Sequence, residues 1–123
     1  MIGYVTLGAN DFEGTARFYD ELLALCGASR LMELPEGFIL WGANFDDAGL
    51  ALARPYNQQA ATVGNGVMAA IRTNSTQEVD ALYAKALELG GTDEGAPGPR
   101  GEGFYAGYFR DPEGNKLNAF ALV

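Results

Sequence analysis

A chain of 123 residues, 48 % of them apolar, can build one packed core or two small halves that share one, and is too apolar to be disordered. Sixteen acidic residues against eight basic ones leave a net charge of −8; that field repels a phosphate polymer, and the scattered basic residues form no stripe, so nucleic-acid binding is excluded. No apolar run approaches the roughly 20 residues of a membrane span, and Met1–Val5 has no basic region ahead of an apolar stretch, so a soluble cytoplasmic protein is expected.

The first element is a strand from Ile2 to Gly8. Asn10 or Asp11 then caps a helix, with Glu13 placed to reach back over its first turn. Phe12, Ala16, Tyr19, Leu23 and Cys26 recur at helical spacing as one apolar stripe, and Gly27 ends the helix. Cys26 is the sole cysteine, so no internal disulfide is available, and its place on the stripe reads as a small buried hydrophobe. Ser29 to Leu34 is a strand, Pro35-Glu36-Gly37 turns it into Phe38-Ile39-Leu40-Trp41, and Asp46 to Gly49 turns that into Leu50 to Arg54.

Pro55 to Asn65 is polar and aperiodic, and reads as a linker. A second strand–helix–strands series follows. Gly66 to Arg72 is a strand. Ser75-Thr76-Gln77-Glu78 is a capping box, and Val79, Leu82, Tyr83, Ala86 and Leu89 form the stripe that Gly90-Gly91 stops. Thr92 to Gly103, with Pro97 and Pro99, is a looser stretch. Phe104 to Phe109 and Lys116 to Leu122 are strands joined by the turn Asp111-Pro112-Glu113-Gly114-Asn115, in which Asp111 holds backbone amides.

The chain is written twice. Tyr4 and Met68, Tyr19 and Tyr83, and Gly27 and Gly91 are each 64 positions apart, and Gly49 and Gly114 are 65 apart. Two βαβββ modules, 1–54 and 66–123, too small to stand alone, would share one core as a single domain. A long crossover at 55–65 also allows modules to exchange between chains, so a homodimer is expected.

The duplication, the opening Tyr4-Val5-Thr6-Leu7-Gly8, the helix with Phe18-Tyr19, and Arg110-Asp111-Pro112-Glu113-Gly114-Asn115-Lys116-Leu117 resemble the glyoxalase / bleomycin-resistance / extradiol-dioxygenase family, over essentially the whole chain. The resemblance implies an α+β vicinal oxygen chelate fold, in which a curved mixed β-sheet forms a cup. Enzymes of that family hold a divalent metal there with a histidine from each module's first strand and a glutamate from the last strand. The matching positions here are Tyr4, Met68 and Asn118, and the chain has no histidine at all. A phenol ordinarily loses its proton only near pH 10, a thioether suits soft ions, and a neutral amide is a weak donor, so no metal ligand and no cofactor is expected.

Strand alternation sets Tyr4, Met68, Asn118 and Phe120 on one face. That face is either the lining of a small-molecule pocket or a second, filled core. Trp41 stacks on a ligand or joins the core. Tyr105 and Arg100 sit beside a Gly/Pro-rich loop, where binding groups often lie; Arg100 is a solvated charge or an anion contact. Glu33, Asp46, Asp47 and Glu102 read as turn or surface groups. The expected function is metal-independent binding of a small aromatic or cationic molecule, with Tyr4, Trp41, Met68, Tyr105, Asn118 and Phe120 as the walls. The alternatives are a metal-dependent lyase, isomerase or dioxygenase with an atypical site, and a relative that acts only through protein contacts. The acidity serves solubility or attracts a cation.

Overall fold

The computed structural model describes all 123 residues, which divide into two units, Met1–Val63 and Gly64–Val123. In the first, β1 (Tyr4–Gly8), α1 (Phe12–Ala24), β2 (Ser29–Leu34), β3 (Phe38–Gly42) and β4 (Gly49–Ala53) form a four-stranded sheet of order β1-β4-β3-β2 beside one helix. In the second, β5 (Ala69–Arg72), α2 (Thr76–Glu88), β6 (Thr92–Pro99), β7 (Phe104–Arg110) and β8 (Lys116–Leu122) repeat the plan, with order β5-β8-β7-β6. In each sheet the first strand runs parallel to the last and the other pairs are antiparallel. The result is an α+β fold in two βαβββ modules, consistent with the vicinal oxygen chelate fold. No helix is long and apolar enough to cross a membrane.

Local chemistry explains where the elements begin and end. Asp11 caps α1, its carboxylate accepting the Gly14 N–H at 3.2 Å. Asn10 instead clamps the linker: its Nδ2 donates to the Ala61 carbonyl at 3.1 Å and its Oδ1 accepts the Ala61 N–H at 2.7 Å. The linker residues up to Val63 therefore go with the first unit. Glu13 does not reach back over the helix; it pairs with Arg54 at 3.2 Å. Helix α1 stops at Ala24, so Cys26 falls in the turn before Ala28 and is exposed, not buried on the stripe. Ser75 caps α2 by accepting the Glu78 N–H, while Glu78 takes the amide of Asn74 rather than that of Ser75.

The stretch from Thr92, expected to be loose, is strand β6 up to Pro99. Bulges flanking Gly95 interrupt its pairing with β7, and Gly95 has φ +147°, a conformation that side chains other than glycine rarely adopt. Pro97 packs against Gly107, where a Cβ would lie 2.9 Å from the proline ring.

Alternation divides each sheet into a helix side and a side that no helix of its own unit covers, here the bare side, on which Leu40, Ala51, Ala106 and Asn118 are nonetheless buried. Leu7, Ile39, Trp41, Leu50 and Leu52 are buried on the helix side of the first sheet; Phe109, Leu117, Ala119 and Ala121 are each 0 % exposed on that of the second. The β7–β8 register is fixed by the turn at 111–115. Asp111, 2 % exposed, accepts the amides of Glu113 and Asn115 and the Asn115 side chain, each at 2.9 Å. Asp111→Ala should therefore lower stability by about 3 kcal/mol, measured by urea denaturation, because it strands buried donors; a change within 0.5 kcal/mol would show that the register is set elsewhere.

Candidate ligand site

The bare side of the first sheet holds a cavity of about 1030 Å³. Thr6, Gly8, Leu34, Phe38 and Ala53 come from the strands, and linker residues Pro55, Tyr56, Gln58, Gln59 and Ala60 form a second wall. Asn10, Glu36 and Arg54 add further polar groups to those of Thr6, Tyr56, Gln58 and Gln59. Most of that wall depends on the Asn10 clamp, since Ala61 is tied to the end of β1. Tyr4, 52 % exposed, lies on the same side and meets Phe38 edge-on, with ring centroids 6.1 Å apart.

The bare side of the second sheet carries Asn118 and Phe120 on β8, in register with Tyr108 and Ala106 of β7 and with Ala70 and Arg72 of β5. Met68, one residue before β5, is 40 % exposed. Phe120 stacks on Phe104 with centroids 5.2 Å apart. Asn118 is 2 % exposed and its Oδ1 has no hydrogen-bond partner. A buried acceptor without a donor costs about 1–3 kcal/mol.

Two expected site residues lie elsewhere. Trp41 is 1 % exposed beneath α1: it packs on Tyr19, and its Nε1 donates to Asp20 at 2.9 Å. Arg30 binds the same carboxylate through two nitrogens, at 2.8 and 2.7 Å, and its guanidinium lies over the indole. The Arg30 hydrogen bond, opposed by burial and aided by Trp41, holds the Asp20 carboxyl below its usual range. Tyr105 likewise faces α2, its hydroxyl donating to Asp80 at 2.7 Å. Both residues are corrected from wall to helix-side packing, because their strand parity is that of Leu50 and Ala121, their cross-strand partners. Tyr4 belongs to the first unit; Met68, Asn118 and Phe120 belong to the second.

Several residues of these faces were missed in the sequence. Tyr108 shares the face of Asn118, and the hairpin turn was the signal: pairing Arg110 with Lys116 across it puts Tyr108 opposite Asn118. The linker wall carried no periodic signal.

The donor set does not suit a divalent ion. The three positions that would hold one offer a phenol, a thioether and a carboxamide, and no group of three or more His, Cys, Asp or Glu comes together anywhere in the chain.

A βαβββ unit repeated in sequence, each copy with one bare sheet face, defines a vicinal oxygen chelate protein. The sequence matches the family model of the Glyoxalase/Bleomycin resistance protein/Dioxygenase superfamily over residues 1–119, and the chain belongs to that family. Among solved structures, a glyoxalase/bleomycin resistance protein from Albidiferax ferrireducens T118 is 32 % identical, with a TM-score of 0.90 over 100 % of this chain and 99 % of that one. A glyoxalase-related enzyme from Fulvimarina pelagi is 26 % identical, with a TM-score of 0.77 over 98 % and 87 % of the two chains. TnmS3, an antibiotic binding protein from Streptomyces sp. CB03234, is 21 % identical, with a TM-score of 0.70 over 100 % and 96 %, a likeness of fold alone. No curated protein matches the sequence.

The helix-side phenols give the fold a pH limit. Hydrogen bonds to Asp93 and Asp80, with burial second, raise the Tyr83 and Tyr105 hydroxyls above the ordinary value of 10.0. The folded chain thus keeps protons that the unfolded chain sheds first. This contribution is intact below about pH 10 and is lost as the pH rises through the raised values. Melting temperature should fall on this alkaline limb, and fall less steeply in the Tyr83→Phe/Tyr105→Phe variant. Equal slopes would show that the two bonds add nothing.

Proposed function

We propose that the protein binds a small, partly aromatic molecule on the bare sheet faces without the help of a metal. The observation that carries this reading is the cavity of about 1030 Å³, a volume at the top of the range of small-molecule pockets, with a largely apolar strand wall facing a more polar linker wall. Support also comes from the ligand positions, where Tyr4, Met68 and Asn118 offer shape and one amide in place of charge. Antibiotic binding by TnmS3 is an instance of the fold serving to hold a small molecule. No arrangement of carboxylates or nucleophiles favours the lyase, isomerase or dioxygenase reading.

The protein acts, in this reading, as a cytoplasmic homodimer. The first strand of each unit is a sheet edge, and Ile2, Tyr4, Val5, Val67 and Met68 on or beside those edges are exposed. Sedimentation equilibrium should give twice the chain mass; a monomer at every concentration removes the dimer.

Two measurements on purified protein test the binding itself. Metal analysis after dialysis should find far less than one divalent ion per chain, and a thermal-shift panel of aromatic molecules should yield stabilising ligands whose effect disappears in Ala53→Phe, which fills the cavity wall. Stoichiometric zinc, nickel, manganese or iron would overturn metal independence. For a ligand that carries a hydrogen-bond donor and sits on the second sheet, Asn118→Leu should weaken binding by about 1–3 kcal/mol; unchanged affinity removes Asn118 from the site.

A further inference from the structure

The chain is acidic overall, yet the bare face of the second sheet is not. Arg72, Arg110 and Lys116 occupy this face by register, in line with Phe120, Lys116 and Arg110 respectively. Arg100 joins them from the end of β6: its guanidinium lies 5.5 Å from the centroid of the Tyr108 ring, and the Lys116 ammonium lies 5.7 Å from the same centroid. One carboxylate answers these four cations. Glu94 binds Arg110 at 2.7 Å. Arg72, Arg100 and Lys116 make no ion pair; the Arg100 guanidinium donates only to the carbonyls of Ala96 and Pro99. Counting Glu102 and Glu113 of the flanking turns still leaves the face positive.

Along β8 the order is chemical. Lys116, Asn118 and Phe120 stand at alternate positions on one side, about 7 Å apart from one to the next. They present a cation, then a buried amide oxygen with no donor, then an aromatic ring already stacked on Phe104. We propose, resting on the binding reading above, that this face recognises a flat aromatic anion that carries an N–H or O–H donor beside its acidic group. The anion meets Lys116 and Arg100, the donor supplies what the Asn118 oxygen lacks, and the ring extends over Phe120. The wider negative field does not decide the matter, because distant carboxylates are screened beyond about 8 Å at physiological salt. Local cations govern the contact, and they oppose the cationic ligand that the overall charge suggests.

Three probes test this by calorimetric titration of the full chain. 3-Amino-2-naphthoate has ring, anion and donor; 2-naphthoate lacks the donor; 2-naphthylmethylammonium reverses the charge. The amino acid should bind, the plain acid roughly tenfold more weakly, and the amine not measurably. Lys116→Gln and Arg100→Gln should each weaken the amino acid by roughly fivefold or more, Lys116→Arg should restore it, and Arg17→Gln, which removes a charge from α1, should leave it unchanged. Circular dichroism of each variant separates lost binding from lost folding. An amine that binds as tightly as the acids, or acids indifferent to both glutamine variants, overturns the anion proposal. Amine binding that Ala53→Phe blocks would leave the general binding reading standing. Silence from all three probes overturns the anion proposal, and silence from the aromatic panel as well overturns both.

Discussion

One helix per four-stranded sheet is the constraint on which the rest of this molecule depends. Helices α1 and α2 each have 13 residues, about 20 Å of helix, enough to cover one side of a small sheet and no more. Strand side chains alternate, so half of them must point away from the helix. The helix side absorbs the hydrophobic contribution: Leu22, Leu52, Phe109, Leu117 and Ala119 are wholly buried. The other side is left to satisfy itself or to be satisfied by something else.

Polar anchors decide which residues fall on which side. In the first unit the Asp20 carboxylate gathers Trp41 and Arg30 and so pins the β3 and β2 strands to α1 with one parity. In the second, the Tyr83–Asp93 and Tyr105–Asp80 bonds do the same between α2 and strands β6 and β7. Each anchor joins a large ring to a carboxylate, which places the aromatic body in the core and lets its polar end meet a charge. Arg30 and Trp41 are cross-strand partners on one side, so a slip of one residue in either strand would turn its anchor away from Asp20, and register and site placement are fixed together.

This explains what the sequence disclosed and what it withheld. The duplication was legible in its recurring landmarks, and the Ser75 cap and the Asp111 turn in contacts within a few residues; the first cap was narrowed to Asn10 or Asp11, and the partners of Glu13 and Glu78 were not legible. Parity was legible only where polar and apolar residues alternate. Phe38-Ile39-Leu40-Trp41 is apolar throughout, as is most of Phe104 to Tyr108, and neither tells which residues face the helix. Trp41 and Tyr105 were misplaced for that reason; their partners Asp20 and Asp80 lie 21 and 25 residues away. The β6 bulges, which rest on Gly95 and on Pro97 against Gly107, hid a strand behind a composition typical of loops. The Asn10 clamp on Ala61 spans 51 residues and leaves no local mark.

The two copies differ at a corresponding position on the bare side. Ala51 lies opposite Thr6, and Asn118 lies opposite Ala70, which is 64 residues after Thr6. Both are buried on the bare side of the strand that pairs with the first strand. Alanine completes that position in the first copy without a polar atom, so the architecture itself has no need of an amide there. In the second copy the amide is present, its oxygen lacks a partner, Lys116 stands two residues before it on the same strand, and Arg72 lies opposite Phe120, two residues after it. Burying such an oxygen works against stability in the absence of a donor. A bound donor converts that deficit into affinity, which a methyl group at the same position could not supply. The first copy, walled by its linker, offers volume, and the second offers chemistry.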